Sequence, residues 1–283
     1  MAWYDKYLSI YGKSFDEVPQ EIIDETREGL AKLQSPDPLI SIVVIAYNEE
    51  THLQACLWAL SNIKCKYPVE IIGVNNDSKD RTEDVYKASG IPYYTEYQHS
   101  CGYARRCGLR NCKGKYYFDI DSDTIYPPQY FDIMMEKLLR KDVSCVSSLW
   151  SYFPDENHSK FGLTIFELCR DIFLYIQHFK RPELSVRGLV FAYNADYGRK
   201  EEYRVDIIRG EDGSMALALK KYGKIAFVYN RKARPITGYG TNDQSSIWHT
   251  FIDHVKVQGK GILRIFYSKD HYEDSDDNLV KNK

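Results

Sequence analysis

The chain has no stretch long and apolar enough to cross a bilayer. Its longest nearly apolar run, residues 39–47, falls far short of the roughly 18 to 20 residues that a spanning helix needs. Neither sign of charge dominates. Lys and Arg total 38 against 40 Asp and Glu, a formal net charge of −2, which excludes a basic surface built to hold nucleic acid. The seven cysteines (Cys56, Cys65, Cys101, Cys107, Cys112, Cys145, Cys169) are odd in number and lack a C-x2-C spacing, so neither a disulfide framework nor a zinc site is indicated. They read as reduced, mostly buried thiols. Glycine is missing where two nucleotide-binding classes require it. Residues 46–50 (AYNEE) follow the first apolar strand without one, which disfavours a nucleotidyltransferase loop around a triphosphate and a dinucleotide fingerprint alike. The first twenty residues lack the cationic start, apolar stretch and cleavage site of a secretory signal, so a cytoplasmic setting is the expectation.

What is present is a regular alternation. Residues 1–38 are charged and end in a Pro-rich break, suggesting a helical arm. Strands are then expected at 42–47, 69–74, 92–95 and 115–120, separated by helices at 49–61, from Ser78 or Asp80 to about 88, and at 103–112. Gly114 is expected to close the third helix in the left-handed conformation. Pro127 and Pro128 should open a helix through 139, a strand follows at 143–150, and a helix carries the stripe Ile165, Phe166, Cys169, Ile172, Phe173 and Ile176, read as core or a subunit contact. Residues 181–203 read as irregular. A strand at 204–208, a helix from Ser214 to 222, a strand at 225–228 and a last helix with Ile247, Trp248, Phe251, Ile252 and Val255 on one side complete the pattern. Such alternation implies an α/β fold: a mostly parallel central sheet, helices on both faces, and ligands at the carboxyl ends of the strands.

Three polar clusters fall at those ends. Asp121-Ser-Asp123 offers two hard carboxylates suited to Mg²⁺ or Mn²⁺, although such a pair can also serve merely as turn and cap residues. Glu211-Asp212 stands at a helix entry, where carboxylates oppose the helix dipole but can also act as a general base. Asn75-Asn-Asp-Ser78 could read a nucleobase edge or form a plain turn. Of Arg105 and Arg106, one could neutralise phosphate oxygens.

The segments LISIVVIAYNEETHLQACLWAL, VEIIGVNNDSKDRT, GYARRCGLRNCKGKYYFDIDSD and RGEDGSMALALKKYG, in this order over about residues 39–230, resemble glycosyltransferase family 2, with its GT-A (Rossmann-like) fold. The resemblance implies a nucleotide-diphospho-sugar donor, Mn²⁺ or Mg²⁺, and transfer to an acceptor hydroxyl with inversion. It implies a catalytic domain at 39–245, with a nucleotide-binding half at 39–123 and an acceptor half at 124–245, followed by a helix and flexible tail at 246–283. By the same resemblance, Ala46, Tyr47, Asn48 and Glu49 border the nucleotide, Asn76 faces the base and Arg106 lies near the phosphates. Asp121 reaches the ribose or a metal-bound water, Asp123 holds the metal, and Asp212 is the base. The family commonly carries Asp where this chain has Asn75 and Asn76, which leaves the donor nucleotide open. His249 and His254 are available to a metal but are left unassigned. Trp150 and Tyr193 are candidates for an acceptor platform. A glycan or lipid-linked acceptor, a peripheral membrane contact and a homodimer are further expectations. The alternative is a non-catalytic nucleotide-sugar or carbohydrate-binding protein on the same fold, from which loss of the carboxylates would be expected; all are present.

Overall fold

The computed structural model describes residues 2–156 and 158–239. Ten strands are found among them, β1 Ile40–Ala46, β2 Val69–Asn75, β3 Tyr93–Thr95, β4 Tyr116–Asp121, β5 Thr124–Ile125, β6 Val143–Ser148, β7 Ser151–Tyr152, β8 Phe191–Asn194, β9 Lys224–Val228 and β10 Ile236–Thr237. The helices are α1 Asp5–Leu8, α2 Gln20–Leu33, α3 Glu50–Ser61, α4 Thr82–Ser89, α5 Cys101–Asn111, α6 Tyr130–Leu138, α7 Lys160–Lys180, α8 Ala195–Glu201 and α9 Glu211–Leu219.

The central sheet runs β3-β2-β1-β4-β8-β6-β9, parallel except that β8 lies antiparallel to both neighbours. Helices cover both faces, as the alternation predicts, and the strand period explains how. Ile40, Ile42 and Val44 point into a core with Leu53, Leu57 and Leu60 of α3 and Phe131, Met134 and Met135 of α6. Val43 points the other way, into a core with Ala104 and Leu109 of α5 and Met215 and Leu219 of α9. The amino-terminal helices pack on α3 through Tyr7, Ile10, Ile23 and Trp58. A second, small sheet, β5-β10-β7, stands at the carboxyl edge.

Several sequence expectations need correction. Gly114 does not have positive φ. Its role is close approach: a Cβ there would lie 2.6 Å from the Ser41 nitrogen, so the chain can turn tightly beneath β1 only without a side chain. Pro127 and Pro128 precede rather than open α6, which begins at Tyr130. Residues 181–203 contain β8 and α8, and 204–208 form no named strand. The α9 helix starts at Glu211. In α7 the buried positions are Leu163, Phe166, Arg170, Leu174 and Gln177, whereas Ile172 and Ile176 of the expected stripe are exposed. The helix turned because its charges are satisfied inward. Glu167 accepts from Ser151 Oγ at 2.9 Å and the Tyr152 amide at 2.7 Å, Asp171 pairs with Arg234 at 2.6 Å, and Arg170 lies over the Trp150 ring at 4.3 Å. Trp150 and Tyr193 are buried and cannot form a surface platform. All seven cysteines are free, but only Cys56, Cys112 and Cys145 are buried and Cys101 is exposed. The last expected helix, His249 and His254 lie outside the described residues.

Candidate active site

Register places the site. Parallel pairing sets Ala46 beside Asn75 and Ile45 beside Asp121, so three strands deliver their polar termini to one edge. Past that edge, Asn48 and Asp77 take left-handed conformations that short polar residues tolerate, turning the chain sharply after β1 and β2. The two turns interlock. The amides of Asn48, Glu49 and Glu50 donate to Ser78 Oγ, Thr82 Oγ1 and Asp80 Oδ2 at 3.0, 2.8 and 3.1 Å, so the first amides of α3 are capped from the neighbouring loop.

A cavity of about 360 Å³ opens here. Ala46, Tyr47, Glu49, Asn76, Asp121, Asp123 and Asp212 all line it, together with Arg105, Arg187, Gly188 and Glu211. Asn48 does not line it; it is an exposed turn residue whose Oδ1 accepts from the Lys79 amide at 2.8 Å. Arg106 does not line it either, and its guanidinium lies over the Tyr103 ring at 4.9 Å. Helix period decides between the two arginines. Cys101, Ala104 and Arg105 share the face of α5 that meets the cavity, and the next position is rotated about 100° away.

Arg105 is the electrostatic centre. Its side chain is 3% exposed, and its nitrogens lie 3.4, 3.0, 3.3 and 2.9 Å from carboxylate oxygens of Asp119, Asp121, Glu211 and Asp212. Burial works against its charge, but the surrounding carboxylates outweigh this and hold it firmly protonated. Asp119 also accepts a hydrogen bond from the Tyr203 hydroxyl. Gly188 closes over the guanidinium, because a Cβ there would fall 1.5 Å from Arg105 Nη2 and 2.8 Å from Asp212 Oδ2.

One guanidinium does not balance this group. Burial, with Asp121 and Glu49 adding repulsion, pushes Asp123 up to about 7. Burial also raises Asp121, opposed by Arg105 and reinforced by Glu211 and Glu49. Asp212 is driven well above the carboxylate range by burial despite Arg105. Glu49 is held by His52 Nδ1 at 2.7 Å. The Asp123 carbonyl is gripped from both sides, by the Tyr11 hydroxyl at 2.8 Å and Thr237 Oγ1 at 3.2 Å.

Asn76 is 5% exposed, and its amide hydrogens are both committed, to the Glu96 and Gln98 carbonyls at 2.9 and 2.8 Å. Two carbonyl partners fix which way the amide faces, leaving Oδ1 with no partner among the described residues. Sequence reasoning missed Asp119, Arg187 and Gly188. The i, i+2 spacing of Asp119 and Asp121 on one strand was the available signal for the first; nothing local marked the other two.

The family model described as "Glycosyl transferase family 2" matches residues 41–195. A protein described as an uncharacterized glycosyltransferase of Rickettsia prowazekii is 32% identical over 143 residues, 45% of this chain and 45% of that protein. Glycosyltransferase GlyA of Streptococcus pneumoniae is 26% identical over 190 residues, 62% of this chain and 27% of GlyA. The chain thus spans about half or less of the length of these relatives. Among solved structures, mannosyltransferase PcManGT of Pyrobaculum calidifontis, in complex with GDP-Man and Mn²⁺, shares the fold with a TM-score of 0.58 at 16% identity, covering 86% of this chain and 72% of that one. Glucosyl-3-phosphoglycerate synthase of Mycobacterium tuberculosis, in complex with Mn²⁺, UDP-glucose and phosphoglyceric acid, does so at 0.53 and 20% identity, covering 89% and 85%.

Proposed function

We propose, since this chain belongs to glycosyl transferase family 2, that it transfers a glycosyl unit from a nucleotide-diphospho-sugar to an acceptor hydroxyl within the cavity just described. The observation that carries the reading is the convergence of Asp121, Asp123 and Asp212 on one cavity, in which the Arg105 guanidinium pairs with Asp121 and Asp212. Asp212 accepts the proton of the acceptor hydroxyl as its oxygen bonds to the anomeric carbon. The bond from that carbon to the diphosphate breaks on the opposite side, so configuration inverts and a nucleoside diphosphate leaves.

Asp121 and Asp123 suit Mn²⁺ or Mg²⁺. Both are hard oxygen donors whose protonation burial and neighbouring carboxylates push upward, an excess of negative charge that a cation relieves. Such a cation usually takes its further ligands from donor phosphates and water. When bound, the cation supplies charge stabilisation to the leaving diphosphate. Arg105 orients Asp212 and Asp121, and Arg187 at the cavity wall adds positive charge where phosphates would lie.

Replacing Asp212 by Asn tests the assignment. Nucleotide-sugar and Mn²⁺ should still raise the melting temperature, while transfer falls about 10²–10⁴-fold; normal turnover would place the base elsewhere. Asn76 offers its free Oδ1 to an N–H donor on the edge of the donor's base. In a thermal-shift screen, at least one of the UDP-, dTDP- and GDP-sugars should stabilise the protein in a Mn²⁺-dependent way. Metal-independent binding without turnover would instead favour a non-catalytic binding protein.

A further inference from the structure

A carboxylate in the middle of a buried strand is costly unless it is paired. Asp119 is 1% exposed, and strand alternation puts it on the same face of β4 as Tyr117 and Asp121. The three grip one residue along its length. The Tyr117 hydroxyl donates to the Arg105 carbonyl at 3.1 Å, Asp119 Oδ1 lies 3.4 Å from Arg105 Nε, and Asp121 Oδ1 lies 3.0 Å from Nη2. Asp119 is braced in turn, because its Oδ2 accepts from the hydroxyl of the buried Tyr203. Tyr203 is delivered there by a left-handed turn at Glu202, just after α8. The chain beyond it runs against α5 where only glycine leaves room: a Cβ on Gly102 would lie 2.3 Å from the Arg204 carbonyl oxygen. The same segment leads into α9, whose second residue is Asp212.

Arg105 Nε lies between two carboxylates. Asp212 Oδ1 is 2.9 Å away and Asp119 Oδ1 3.4 Å, yet none of these three buried atoms makes an aligned hydrogen bond among the described residues. Squarely paired with the guanidinium, Asp212 would give up a lone pair and part of its basicity. The second carboxylate draws the N–H off that line. We infer, on the reading that Asp212 is the base, that Asp119 and Tyr203 are positioning residues for the transfer reaction: together they hold the Arg105 guanidinium so that it steers Asp212 without capturing it. Neither residue lines the cavity, so their influence on the chemistry passes through Arg105.

Two measurements on the full chain test this. In the first, NMR follows exchange of the Arg105 Nε–H with solvent, the signal being assigned by its loss in Arg105→Lys. Tyr203→Phe, which keeps the ring, and Asp119→Asn, which keeps the shape, should each speed that exchange at least about fivefold while leaving β1 amides unchanged. In the second, release of nucleoside diphosphate is followed with water as the acceptor, in Mn²⁺, using whichever UDP-, dTDP- or GDP-sugar gives the largest thermal shift. Asp119→Asn should lower kcat about tenfold and Tyr203→Phe about threefold, with KM for the nucleotide-sugar within about twofold of the unaltered chain. In an Asp212→Asn background neither substitution should lower the residual rate further, since no base is left to steer. Unaltered Nε–H exchange in both variants would overturn the inference, as would unaltered kcat. Equal losses with and without Asp212 would also overturn it, being the mark of a merely structural role. Release by the unaltered chain no faster than by Asp212→Asn would remove the base itself, and the positioning role with it, whatever the exchange of Nε–H showed.

Discussion

Arg105 and Arg106 differ by one position and by everything around them. One sits among four carboxylates; the other lies over a tyrosine ring near the surface. The segment YARRCG makes both equally available in composition, and only the direction of α5, set by its small face of Cys101, Ala104 and Gly108, selects between them. Asp121, Asp123 and Asp212 were legible because each stands at an element terminus, where carboxylates are informative. Asp119 was hidden within a strand, where a charged residue is understood only once Arg105 and Tyr203 are known to meet it. Gly188 shows the same limit, since its constraint comes from residues far away in sequence. Gly188→Ala should lower stability by about 1–3 kcal/mol, because Arg105 is too enclosed to yield to the added methyl. Urea denaturation would measure this, and an unchanged midpoint would mean that the guanidinium has room to move.

At the scale of elements, the first half of the chain was readable almost strand by strand and the second half was not. β1, β2 and β4 are long apolar runs whose burial depends on little else. α7 was misjudged in orientation because apolar periodicity assumes that charge seeks water. Here Asp171 and Glu167 find Arg234 beneath the helix, at 2.6 and 3.6 Å, with side chains 17 and 14% exposed. β8 and α8 went unseen because β8 lies against β4 and β6, a pairing that no local signal announces. Capping shows a related effect: of Ser78 and Asp80, either of which was expected to start α4, Asp80 accepts the Thr82 amide there but also serves α3, and Ser78 accepts from Asn48. Arg234→Ala should cost about 1–3 kcal/mol by leaving half-paired carboxylates under α7. Chemical denaturation would register it, and no loss would show that Arg170 alone satisfies Asp171.

For the whole molecule, the fold class followed from alternation, and the location of the site followed from the fold class. What remained unreadable was long-range closure. The residues around Asp123 come from the amino-terminal arm, the turn after β4 and β10, positions more than a hundred residues apart. Tyr11→Phe removes one hydrogen bond to the Asp123 carbonyl, a loss of about 1 kcal/mol. If Asp123 holds a cation, the Mn²⁺ concentration giving half-maximal stabilisation by nucleotide-sugar should rise about fivefold. An unchanged titration would show that Thr237 suffices to fix the turn.

The grip of Tyr11 and Thr237 on a single carbonyl has a practical corollary. Trimming the leading helices to obtain a tidier protein would remove one jaw of a clamp beneath the acidic floor of the chamber. Such a shortened version would be a poor stand-in for the full sequence, however well its central sheet survived.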